Sequence, residues 1–165
     1  MFTLTASYFI ASNVWSTSTV NCKKESFPIK CLKENYDFLL KNDEKQFWDL
    51  VHSSEKKALK CTSILKTAEY LDLFQFVKGA ASIEEYFAEK IEQKLIIVNP
   101  KCFLEAYKIL SSEGQKRILI DIKAPIFATN DQLSNALEPF KQDPKFAVFF
   151  KSYSIDLPIE LKHKK

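Results

Sequence analysis

Glycine is almost missing from this chain, with 2 residues in 165 against 14 phenylalanines. Glycine reaches left-handed turns and lets backbone approach a ligand closely, so a loop that cradles phosphate is not expected. Arginine is scarcer still: of 24 basic residues only Arg117 is arginine. Recognition of base edges and phosphates leans on the bidentate guanidinium fork. The lysines are also interleaved with Asp and Glu rather than blocked, so no electrostatic footprint for nucleic acid stands out. Charge is absent from the whole opening stretch, where no Asp, Glu, Lys, Arg or His precedes Lys23. That stretch is too short and polar for a membrane anchor, which needs roughly 20 mostly apolar residues, and no later run approaches that length.

Metal and cofactor chemistry lack their usual patterns too. The four cysteines form no CxxC pair, no helix carries a Glu-x-x-His box, and no acidic loop resembles a calcium site. Neither a metal nor a cofactor is expected.

What is present fits one folded domain. Hydrophobic residues make up 46% and charged residues 27% of the chain, and the net charge is a modest +3. That balance supports a real core rather than a disordered chain.

The uncharged beginning contains Phe2, Leu4, Tyr8, Phe9, Ile10, Val14 and Trp15, followed by the small polar residues Ser16 to Thr19. It reads as an export signal over residues 1–18, with Ser16 and Ser18 at the small-residue positions for cleavage. A basic segment normally precedes such a run, and none does here. Cleavage directly before Cys22 would instead make a lipoprotein modified at Cys22, although Asn21 is a poor neighbour for it. A buried first element is the remaining reading of the same residues. Residues 19–31 then form an extended arm bearing Cys22 and Cys31.

An even cysteine count in a small exported domain suggests two disulfides among Cys22, Cys31, Cys61 and Cys102, with three connectivities open. Cys22 to Cys31 is the shortest link, and Cys61 and Cys102 then lie in separate helical segments that can face each other. A Cys31 to Cys61 bond would instead pin the arm to a helix and leave Cys102 free.

From residue 32 to 153 the pattern is all-α, with seven or eight short helices in one compact domain. Asp43 and Gln46 suggest a capping box. Ser53 or Ser54 reads as the cap of a long helix reaching Lys78, with a stripe from Ala58 through Ile64, Leu71 and Phe74 to Val77, and Gly79 just beyond its end. Ser82 with Glu85, Ser112 with Gln115, and Thr129 with Gln132 suggest further boxes, and Asn99-Pro100 a further helix start. The segments from Phe47 and from Phe103 both run through Ser-Ser-Glu, a faint repeat that would imply stacked, solenoid-like helix pairs. Residues 154–165 read as a free basic tail.

Candidate chemistry is thin. His52 stands beside Asp49, Ser53 and Ser54, which superficially resembles a hydrolase triad, but no nucleophile elbow accompanies it. The plainer expectation is a histidine at a helix C-terminus. Glu85, Glu89 and Glu92 share one helical face with Lys90 and Lys94 interleaved, which reads as solvated surface rather than a catalytic carboxylate pair. Phe146, Phe149, Phe150 and Tyr153 form an apolar cluster that either closes the core or supplies anchors for a docking partner. The sequence therefore points to an exported, periplasmic or extracellular helical protein without catalysis. It would bind another protein, in an envelope or toxin-inhibitor type role.

Overall fold

The computed structural model describes residues 20–26, 28–77 and 80–154. The expected signal over 1–18, Lys78 and Gly79 at the end of the expected long helix, and the tail beyond Ser154 lie outside these. Of the described residues 80% are helical and none lies in a strand. They form α1 (Pro28–Glu34), α2 (Tyr36–Asn42), α3 (Glu44–Leu59), α4 (Ile64–Leu73), α5 (Ala81–Glu89), α6 (Pro100–Lys108), α7 (Ser112–Lys123), α8 (Asn130–Leu137) and α9 (Ala147–Ser154). The all-α expectation holds, with nine α-helices among the described residues rather than seven or eight.

The arm is not extended throughout. Cys22–Lys24 is a 3-10 turn, and α1 begins at Pro28, so Cys31 sits inside a helix. The Cys22–Cys31 bond, with Cα atoms 5.4 Å apart, ties that turn back onto α1.

The long helix expected from Ser53 to Lys78 is two helices. α3 is capped by Asp43, whose side chain accepts the Gln46 backbone amide as expected, and runs on through Ser53 and Ser54 to Leu59. Leu50, Val51, Ser54 and Ala58 keep the same buried face, so serine there has no reason to restart a helix. The break comes at Lys60–Ser63, where Cys61 adopts the left-handed region (φ 48°) and bonds Cys102. α4 then carries Ala68, Leu71 and Leu73 inward between α3 and α6.

The starts at Asn99-Pro100 and Thr129 stand where expected, the latter with a complete capping box. Asn99 does not cap its own helix; its amide donates to the Leu59 carbonyl and joins α6 to the end of α3. Ser82 caps nothing, since α5 already begins at Ala81. α7 is capped by Ser111 rather than Ser112, and Gly114 closes that turn against Asp72: a Cβ at this position would stand 2.8 Å from the Asp72 carboxylate.

No solenoid forms. The two Ser-Ser-Glu segments play different parts, one inside α3 and the other at the start of α7. α1 packs on both α3 and α4, and α7 packs on the 3-10 turn that follows α4. Solenoid repeats touch only their neighbours, whereas these contacts close a single core. Phe47, Tyr70, Phe74, Phe87 and Phe103 fill it, all fully buried.

The C-terminal aromatics divide. Phe146 and Phe149 are each 1% exposed, and Phe149 packs edge-on against Tyr107 with ring centroids 4.9 Å apart. These two close the core and are not accessible docking anchors. Phe150 and Tyr153 are half-buried against the same cluster.

Candidate functional site

After Glu89 the helix widens into π-helical turns over Lys90–Ile96. π turns are rare and occur often at functional sites. Two adjacent rows face inward through this segment, Phe87, Ile91 and Leu95 beside Ala88, Glu92 and Ile96, and all six residues are buried. Glu92 is 0% exposed, which corrects its expected place on a solvated face.

A carboxylate so placed needs hydrogen-bond donors, because an unpaired polar group in a core costs several kcal/mol. They come from the connection between α7 and α8. Pro125 prevents α7 from continuing, and the amides that follow converge on Glu92. Its Oε1 accepts Ile126 N–H at 3.0 Å, and its Oε2 accepts Phe127 and Ala128 N–H at 2.7 Å each. Gln93 Nε2 donates to the Phe127 carbonyl at 2.7 Å. The Thr129 capping box then starts α8 immediately.

With its backbone held inward, the loop turns its large side chains out. Ile126 is 61% and Phe127 38% exposed, side by side on a loop fixed at three amides. Sequence reasoning missed this site. One signal for Glu92 was present: the apolar run Leu95–Val98 is wider than one helical stripe.

Beside the loop clamp, Arg117 Nη2 reaches Glu84 Oε1 at 3.1 Å, and its guanidinium carbon lies 4.5 Å from the centre of the Phe74 ring. Asp121, one turn further along α7, has a buried Oδ2 without a hydrogen-bond partner. Its carboxyl is pushed up to about 7, chiefly by burial and then by the nearby Glu92 charge, against the pull of Arg117. A folded pKa raised from 3.8 to about 7 means that the folded state holds this proton more tightly than the unfolded chain does. The stabilising contribution is complete below about pH 4 and is lost as pH rises through about 7. Asp121→Asn is therefore expected to flatten the fall in melting temperature between pH 5 and pH 8. An unchanged pH profile in thermal melts of the variant would show that another group governs it.

The other expected site residues are dispersed. His52 lies mid-way along α3 rather than at a helix end, exposed, with its ring stacked on Trp48 at 5.6 Å. Asp49 pairs with Lys23 at 2.6 Å, which also lowers its pKa, so its carboxylate is engaged away from a triad. Ser54 is buried while Ser53 is exposed. Glu89 pairs with Lys90, and Glu85 is exposed. Among the described residues no group of three or more His, Cys, Asp or Glu is placed to hold a metal ion.

The cysteines pair as Cys22–Cys31 and Cys61–Cys102, which leaves none of the four free. Cys22 is 0% exposed and its sulfur is committed to Cys31. Lipid attachment would consume that same sulfur, so the anchor at Cys22 and this bond exclude each other. No helix of the described residues is long and apolar enough to cross a membrane. No protein-family model, curated protein or solved structure matches the chain.

Proposed function

We propose that this is an exported, non-catalytic helical protein that binds another protein, with Ile126 and Phe127 as its anchors. The observation that carries the reading is the Glu92 clamp. A fully buried carboxylate holds three consecutive amides of one loop, and the side chains displayed by that loop are two large apolar ones. A loop fixed before binding has little conformational entropy left to lose, which favours affinity. Aromatic and aliphatic anchors of this kind dominate interface energetics when they enter a partner's pocket.

Export is supported by the uncharged segment before Lys23 and by two cysteine pairs at bonding distance. Such bonds persist in oxidising compartments and are rare in reducing ones. The partner would be an envelope component or a toxin held in check.

The test compares two proteins rather than relying on capture alone. Wild type and Ile126→Asp/Phe127→Asp, matched by circular dichroism and melting temperature, are immobilised and exposed to envelope extract. A protein retained by wild type and reduced at least about tenfold on the double variant is the expected result, the usual scale for losing a central anchor. Equal retention on both would remove the loop from the interface. Intact-mass measurement of natively expressed protein, with and without reductant, tests cleavage after Ser18 and both disulfides together.

A further inference from the structure

A second cleft is built from other elements than the loop clamp. It lies among α1, α3 and α4, holds about 600 Å³, and has Pro28, Ile29 and Leu50 as its apolar lining. That volume falls within the range of small-molecule sites. Lys23, Lys30, Lys33, Lys57 and Lys66 surround it, with Asp49 and Glu69 as the acidic residues of the lining. Five of the chain's 24 basic residues and two of its 21 acidic ones are thus gathered here. The lining carries three excess positive charges, as many as the whole chain, and the remainder of the sequence balances.

These lysines are not equally engaged. Lys33 pairs with Asp72 in a half-buried bridge, Lys23 pairs with Asp49, and Lys66 pairs with Glu69. Lys30 has only a long, exposed contact to Glu34 at 3.8 Å. No ion pair among the described residues reaches Lys57, which stands on α3 one turn after Ser53 and Ser54 at the cleft. The wall itself is pre-set, because the Cys22–Cys31 bond ties the Lys23 segment to α1.

We propose that this cleft binds a small amphipathic carboxylate: an acidic head at Lys57 and Lys30, and an apolar body against Pro28, Ile29 and Leu50. Charge complementarity selects the anion, and the apolar wall between the lysines selects against a purely inorganic one. The occupant is a soluble molecule rather than a lipid in a bilayer. Only free solute enters a cleft set between three helices without the membrane following it.

The probe is dodecanoate below its micelle concentration, titrated into the oxidised full chain by calorimetry. Saturable one-to-one binding is expected, weakened about tenfold or more in Lys57→Glu, the scale of a lost and reversed charge contact. Ile29→Glu should weaken it comparably. Both substitutions lie at positions open to solvent or half-buried, so the fold is retained, and circular dichroism checks this. Inorganic phosphate should give no saturable heat; if it binds as tightly as dodecanoate, the apolar part of the proposal is wrong. Absence of dodecanoate binding, or binding unchanged in both variants, overturns it. So does Lys57-dependent sedimentation with phosphatidylglycerol vesicles when dodecanoate does not bind, which would make the face a membrane contact. The Ile126 and Phe127 variants should leave dodecanoate affinity unchanged, so this proposal and the protein-binding reading fail separately.

Discussion

Glu92→Ala is expected to lower folding stability by about 4 kcal/mol, read as a reduced urea midpoint with an unchanged slope. The figure combines two effects. Hydrogen bonds to a charged acceptor contribute about 1.5 to 3 kcal/mol each, but the amides of exposed Ile126 and Phe127 recover part of theirs from water. The Ala128 amide is buried and does not. Truncating a fully buried side chain also leaves a cavity under the loop it holds. Glu92→Gln should lose about half as much, because one oxygen survives to accept while the new NH2 group faces an amide donor. Hydrogen exchange gives a second reading: amides 126 to 128 should exchange much faster in Glu92→Ala than in wild type, while those of α4 shift only with global stability. A loss under about 1 kcal/mol, with those three amides still protected, would show that Glu92 does not hold the loop. The display of Ile126 and Phe127 would then need another cause.

Removing the Cys61–Cys102 bond, as Cys61→Ala/Cys102→Ala, is expected to cost about 4 kcal/mol and roughly 10 °C in melting temperature. The bond closes a span of 41 residues, against 9 for Cys22–Cys31, whose removal should cost about 2.5 kcal/mol by the same loop-entropy argument. The order of the two losses is the test. If the short link proves the costlier, cross-linking of the unfolded chain is not what stabilises this protein. Position 61 adds a refinement, since its φ of 48° is costly for any residue with a Cβ. Cys61→Gly/Cys102→Ala should therefore be more stable than the double alanine by about 1 kcal/mol, because glycine enters the left-handed region without that penalty.

Local chemistry explains which elements were legible. Thr129 with Gln132, Asp43 with Gln46 and Pro100 after Asn99 each act within one turn, so their meaning survives whatever packs around them. Ser53 and Ser82 carry the same chemistry and do not cap, because a continuous buried face or an earlier helix start outcompetes a single hydrogen bond. The repeat failed for the same reason: identical Ser-Ser-Glu segments took different structures under different neighbours.

The site was the least legible part. Glu92 follows the same charged pattern as Glu85 and Glu89, and charge alone assigns all three to water. Glu92 lies four positions after buried Ala88 and four before buried Ile96, so it continues an inward row, and the loop between α7 and α8 supplies the amides that receive it. Arg117, conspicuous in the sequence as a lone arginine, gained its place only through Glu84 and Phe74, 33 and 43 positions earlier in the chain. By itself the sequence determined the helical class and the helix starts at Asp43, Asn99 and Thr129, because periodicity and capping are written over three or four residues. Tertiary structure decided which cysteines join, which charges are buried and which apolar side chains stay outside. Those outcomes depend on residues tens of positions apart competing for the same core, and no local pattern records who wins.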